Sequence, residues 1–495
     1  MIASPSSSPG AEEPLDPFAL VLDAAARANH YRRGFPARPV FPGPEAVAAL
    51  NGFSTELAPQ PMGAAAMLEQ LDRLGSPAAV VTNGGRYFGF VTGGTDPSAQ
   101  AAAILAGAWD QNAALPVMSP VAAHLDALAA GWICSLLGLP AAATATFCGG
   151  ATIANLTGIL AGRDALLARL GWNVDARGLN AAPRLRVVTG AEVHISVLKA
   201  LRVAGFGSED ITFVPTDACG RMVASAVPEL DAQTLVILQA GNVNTGHSDP
   251  FELLIGPAQR AGAWVHIDGA FGLWAAVAPG RQAQVAGVEL ADSWASDGHK
   301  WLNVAYDCGI AICARAEDLR RSLASDAAYV ASEAERGTMH LSLQMSQRAR
   351  GVEMWALLVG RGRGGLAAMV EDSCRHAEHL AAILSAAGVQ ILAPVVLNQA
   401  LAHFGDDAST DAVIDAVQRE GTCWVGATTW QGRRAMRLSV SDHATTRCDI
   451  EAAAAAILRA WAEVRAARPA PPPVLTGEIT GDDPRTTPPA RTARS

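Results

Sequence analysis

The sequence predicts an α/β protein. Its main body is a large domain with a mostly parallel sheet covered by helices on both faces, with an N-terminal helical segment before it and a smaller α/β domain after it. Three observations carry this. From residue 185 onward, short and nearly unbroken apolar strands alternate with helical stretches, the pattern of strands buried on both faces. A Gly-Gly turn at 149–150, by itself more often a plain turn than a phosphate site, precedes a helix with Ile153, Leu156, Ile159 and Leu160 on one side. After about residue 365 a second mixture of strands and helices follows, long enough for a domain of its own.

Taken in order, residues 1–14 are Ser/Pro/Gly-rich and predict disorder. Residues 15–96 form the N-terminal segment. An amphipathic helix is predicted over 15–34, with Phe18, Leu20, Val21, Leu22 and Ala25 on its apolar side, and PARPVFPGP (36–44) stops it. A further helix is predicted over 61–74. NGGRYFGFVTGG (83–94) is dense in glycine, so backbone there runs close to something or turns tightly. Tyr87, Phe88 and Phe90 read equally as pocket lining or as core. The large domain runs over 97–364. It begins with Ala-rich helical sequence to 139 and continues through FCGGATIANLTGILAG, whose helix start offers free N–H groups and the positive dipole end to an anion. LRVVTG, ITFVP, TLVILQA, WVHIDGA and CGIAICA read as strands, and Ser196–Gly205 and FELLIGPAQRAG as helices. The polar stretch 332–340 predicts a mobile loop. The small domain covers 365–465 and includes the strand-like MRLSVSD. The Pro/Thr-rich tail 466–495 predicts disorder.

Composition bounds the function. The 495 residues are half apolar, enough for a sizeable core. A net charge of −10 with dispersed arginines argues against nucleic-acid binding. No apolar run is long enough to span a membrane, and the N-terminus lacks the regions of a secretory signal, so a cytoplasmic location is expected. The eight cysteines form no CxxC pair and sit mostly in apolar segments; buried free thiols are expected, and no metal site.

The chemistry centres on DSWASDGHKWLNVAYDCG (292–309). Lys300, one of two lysines in the chain, follows His299 and precedes Trp301-Leu302. Poor solvation there favours a neutral amine, the nucleophile of Schiff-base chemistry. A lone lysine is more often a packed stem with a solvated head. HIDGA (266–270) changes that balance, because it sets Asp268 at the end of an apolar strand 32 residues before Lys300. A buried carboxylate for a pyridinium nitrogen and a Schiff-base lysine are what a protein contributes to pyridoxal 5'-phosphate (PLP) catalysis. His194, just after a strand, can stack on a ring or be a satisfied structural residue. In the 241–246 turn, Asn242, Asn244 and Thr245 can contact ring substituents or simply build the turn. Arg437 reads equally as a carboxylate binder and as a surface arginine.

Over roughly 80–460 these motifs resemble the group II PLP-dependent amino-acid decarboxylases of the aspartate-aminotransferase fold. The HKW segment, HIDGAFG, ATIANLTGILAGRDA and AEVHISVLKALRVAG carry the likeness. The resemblance implies that the large domain binds PLP, that Lys300 forms the Schiff base and that Asp268 pairs with the ring nitrogen. It places His194 on one ring face and Ala270 on the other, with Ala151, Thr152 and His299 at the phosphate. It further implies a small-molecule amino-acid substrate, loss of carbon dioxide to give an amine, and a homodimer. Two departures stand out. Aromatic decarboxylases carry a loop tyrosine that protonates Cα; here that position falls near Thr338 or Met339, and no tyrosine lies between Ala331 and Arg350. His340 is one substitute, and relatives lacking the tyrosine divert to aldehyde formation. Asp297 stands where small hydroxyl or amide residues approach the phosphate, and on charge grounds it is left outside the site. The competing readings are another PLP enzyme of this fold (a carbon–carbon lyase, an aldehyde synthase or an aminotransferase) and a non-catalytic relative.

Overall fold

A computed structural model describes residues 17–325 and 337–467. The expected disorder of 1–14, the tail from 468 onward and positions 332–336 of the expected mobile loop lie outside these residues. Its strands, in chain order, are β1 (Tyr87–Phe88), β2 (Thr144–Cys148), β3 (Arg186–Gly190), β4 (Ile211–Val214), β5 (Thr234–Gln239) and β6 (Trp264–Asp268). Then come β7 (Ser293–Asp297), β8 (Gly309–Cys313), β9 (Gln390–Ile391), β10 (Gln399–His403), β11 (Trp424–Trp430) and β12 (Arg433–Ser439).

The large sheet has the order β2-β8-β7-β6-β5-β3-β4. It is mostly parallel, as the sequence predicts, with β8 running antiparallel to both of its neighbours. Alternate residues face opposite layers. Leu235 and Ile237 of β5 join the core that contains the helix Ala151–Arg169, while Val236 and Leu238 join the core under the opposite face. Both faces of β5 thus meet apolar partners, which is why this strand reads as a continuous hydrophobic run.

The second sheet has the order β1-β11-β12-β10-β9 and its own core with the helices Asp407–Glu420 and Arg447–Ala466. Its edge strand β1 comes from the N-terminal third and pairs parallel to β11, Tyr87 opposite Trp424. Local periodicity does not reveal a two-residue strand whose partner lies more than three hundred positions away.

Two of the expected helical stretches take particular forms. The Ala-rich stretch is helical as expected, and it divides into two helices, Pro97–Trp109 and Pro120–Leu136. Asp110 takes a left-handed conformation, and Ser119 caps the second helix by accepting from the Ala122 N–H, with Pro120 in its first turn. The helix Pro17–Arg33 forms, but Phe18, Val21 and Leu22 of its apolar side are exposed rather than packed on the core. Among the described residues no helix is long and apolar enough to cross a membrane.

Candidate functional site

The carboxyl ends of β2, β3, β6 and β7 lie along one edge of the large sheet, where ligands bind in open α/β folds. Asp268 is the last residue of β6 and is 4% exposed. One carboxylate oxygen accepts the Ala270 N–H at 3.2 Å. His194 lies beyond β3 and caps the helix Ile195–Val203. Its Nδ1 accepts the Ser196 N–H at 3.3 Å and lies 2.7 Å from the Ser196 hydroxyl, which fixes the ring. With Nδ1 used as acceptor, the network assigns the proton of the neutral ring to Nε2.

His194 also reports its surroundings. Burial lowers its pKa, the nearby Asp268 carboxylate opposes that shift, and the Lys300 and Arg437 cations add to it. Four residues of four different segments, brought together only by folding, therefore share one electrostatic site. Arg437, on β12 of the small sheet, is not a surface arginine. Its Nε is buried without a partner, and burial lowers its pKa while the neighbouring Tyr87 opposes the change.

The residues expected at the phosphate gather at a second point. β2 ends at Cys148, and Gly150 (φ 88°) turns the chain into the helix beginning at Ala151. That left-handed conformation suits glycine. Thr152, half-buried, follows in the first turn. His299 stands beside this helix start; a Cβ on Gly150 would lie 3.6 Å from both His299 Cε1 and Asp297 Oδ2. Gly93 packs so tightly on the Lys300 turn that a Cβ there would sit 1.8 Å from the Lys300 carbonyl oxygen. The glycine density of 83–94 thus serves close approach to that turn.

Several contributors escaped the sequence reading. The Tyr306 ring stacks on His299 at 4.0 Å, and its hydroxyl lies 3.3 Å from the Thr92 hydroxyl. Asn303 accepts the N–H groups of Gly94 and His443 and donates to the carbonyls of Trp301 and Ser441. It ties the lysine turn to both flanking segments, with no local signal in the sequence. Asp297, left out on charge grounds, is inside the cradle: its Oδ2 accepts the Ala151 N–H at 2.8 Å. Other open readings also close. Phe88 is core, Tyr87 stacks on Trp424 at 5.0 Å, and Phe90 is exposed beside the same indole. Asn242, Asn244 and Thr245 build their turn: Asn242 Oδ1 accepts the next two N–H groups of that set, and Thr245 donates to the Cys219 carbonyl. All eight cysteines are free, six of them buried.

Behind Asp268, His266 lies fully buried between Ser293 and Asn155, with ring contacts of 2.8 and 2.9 Å. Burial pushes its pKa down to about 4. The unfolded chain takes up this proton near 6.5, so native stability falls as pH drops from about 6.5 toward 4 and is fully present above that window. The slope is about 1.4 kcal/mol per pH unit for one proton. Urea midpoints of the apoprotein at pH 7 and pH 4.5 check this: His266→Gln should lose less stability across the interval than wild type.

The comparisons with known proteins bear on this geometry. Residues 62–395 match the pyridoxal-dependent decarboxylase conserved domain. The chain belongs to the PLP-dependent decarboxylase family. Tryptophan decarboxylase 1 of Oryza sativa subsp. japonica is 28% identical over 293 residues, 53% of this chain and 56% of that enzyme. Phenylacetaldehyde synthase of Arabidopsis thaliana is 24% identical over 290 residues, 54% and 58% of the two chains. The chain thus matches little more than half the length of these relatives. A crystal structure of Oryza sativa TDC with PLP and tryptamine superposes with a TM-score of 0.83 at 20% identity, covering 92% of this chain and 99% of that one. PLP is the cofactor of this decarboxylase-family chain. The ring end of the site fits it: Asp268 is buried with one oxygen free of the Ala270 N–H, the His194 ring is fixed, and Ala270 is small. At the phosphate end the helix start fits, but a carboxylate already occupies it.

Proposed function

We propose that this protein removes the carboxyl group of an L-amino acid as carbon dioxide and releases the corresponding amine. The observation that supports this most directly is that Asp268 at the end of β6 and His194 beyond β3 stand at one edge of the large sheet, near enough to Lys300 and Arg437 for those charges to act on the imidazole. When bound, PLP supplies an aldehyde for the substrate amine and a protonated ring that accepts the electron pair freed as carbon dioxide leaves. Lys300 provides the amine that anchors the cofactor. Asp268 keeps the ring nitrogen protonated. His194 covers one ring face and excludes water there, and Ala270 lies against the other. Ala151, Thr152 and His299 hold the phosphate end. Arg437, with its unpartnered Nε, is the cation offered to the substrate carboxylate.

The test is to supply amino acids singly to the holoenzyme and measure gas, amine and oxygen together. Carbon dioxide and amine in equal amounts, without oxygen uptake, are expected. One observation favours a second reading, aldehyde formation. Of Thr338 and Met339, near which the tyrosine position falls, Thr338 is buried with its hydroxyl donated to the Ala113 carbonyl and Met339 has no proton to give. Oxygen consumed in step with carbon dioxide would decide for that reading.

The functional unit in this reading is a homodimer. Ile104, Leu105, Trp109, Val117 and Met118 are all more than 40% exposed along one stretch of chain, an apolar surface that monomers rarely leave open. Light scattering is expected to give twice the chain mass.

A further inference from the structure

We propose that Asp297 is a built-in competitor of the cofactor's phosphate and sets how tightly this chain holds PLP. The inference rests on the proposed function, which puts the phosphate at Ala151, Thr152 and His299. Asp297 is the last residue of β7 and is 2% exposed. Its Oδ2 accepts the Ala151 N–H at 2.8 Å, the first N–H of the helix Ala151–Arg169. Its Oδ1 lies 2.8 Å from His299 Nδ1. The same oxygen takes the His299 N–H at 3.4 Å. The carboxylate thus uses both devices that would hold a phosphate: the positive helix end and the imidazole.

The arginines beside this turn are already paired with carboxylates. Arg350 Nη2 lies 3.9 Å from where a Cβ on Gly149 would stand. It is committed to Asp307, with Nε 3.0 Å from Oδ1. Arg348 is paired with Glu353 and Asp307. A phosphate arriving at Ala151 must displace the Asp297 carboxylate or lie against it, and like charges at a few ångströms repel strongly where water is excluded. Without cofactor the same carboxylate caps the helix and stabilises the fold. Asp297 therefore favours the cofactor-free protein and weakens the loaded one.

Asp297→Asn separates these effects, because the amide keeps an acceptor oxygen for the Ala151 N–H and removes the charge. Full-length wild type and variant are stripped of cofactor and titrated with PLP and with pyridoxal, which lacks the phosphate, following tryptophan fluorescence. The variant is expected to bind PLP at least tenfold more tightly, with pyridoxal affinity unchanged. Its apoprotein is expected to melt at a lower temperature than wild type. Inorganic phosphate is expected to raise the melting temperature of the variant and to leave wild type unmoved. A purely structural aspartate would give a lower melting temperature together with equal or weaker PLP binding, and that result overturns the proposal. So does stabilisation of the wild-type apoprotein by inorganic phosphate, a measurement that needs no variant. If Asp297→Asn does not fold, Asp297→Ser is read the same way. Folded wild type that takes up no PLP at all refutes the proposed function instead; PLP binding by wild type without a gain in the variant refutes this inference alone.

Discussion

Lys300→Ala is expected to abolish turnover, lowering kcat by about 10⁴-fold or more, the scale found when a covalent nucleophile that works as a unit with its neighbours is removed. The fold should survive. The lysine side chain is half-buried, and the turn around it is held by backbone groups: the Lys300 carbonyl accepts the Asn303 N–H, and the His299 carbonyl accepts the Gly93 N–H. Loss of activity with an unchanged melting temperature is therefore the expected pair of results. The chemical check is borohydride reduction of the PLP-loaded protein followed by peptide mass mapping. Wild type should carry the reduced cofactor on the peptide containing Lys300, and the variant should carry none. Cofactor fixed at Lys199, the other lysine, would remove the basis of the assignment.

Asp268→Asn is expected to lower kcat by about 10²- to 10³-fold, the usual cost of removing one preorganised charge from a water-excluded site. The amide oxygen can still accept the Ala270 N–H, so local backbone geometry is kept. A readout independent of turnover exists. The Asp268 carboxylate raises the His194 pKa against the lowering by burial, Lys300 and Arg437. Neutralising it should move the His194 titration, followed by NMR in the apoprotein, further down. An unmoved His194 titration would show that the two groups do not share a site, whatever the activity did.

These two residues were legible as candidates because each carries its signal locally. Asp268 closes a five-residue apolar strand, and Lys300 sits in a polar-then-apolar stretch that resembles a known motif. His194 was ambiguous as a letter, and that Asp268, Lys300 and Arg437 act on its ring shows only in the folded chain. Arg437 was open for the same reason: whether an arginine on a strand is buried depends on what packs over it, and Tyr87 arrives from 350 positions away. Asp297 was excluded by a sound charge argument, yet folding placed it in the cradle, because charge says what is unfavourable beside a bound phosphate and not what occupies the place before one arrives.

The sequence by itself determined the strand-and-helix alternation, the parallel character of the large sheet, the cofactor class and the order of the motifs along the chain. Each follows from short-range periodicity or from a handful of adjacent residues, which hydrophobic burial reads one segment at a time. Only the tertiary structure decided that β1 closes the small sheet, that Asn303 stitches the lysine turn to Gly94 and Ser441, and that a carboxylate and a helix start meet across 146 positions. Those contacts depend on how whole layers pack, and no local pattern encodes the distance between residues that only the folded sheet brings to the same edge.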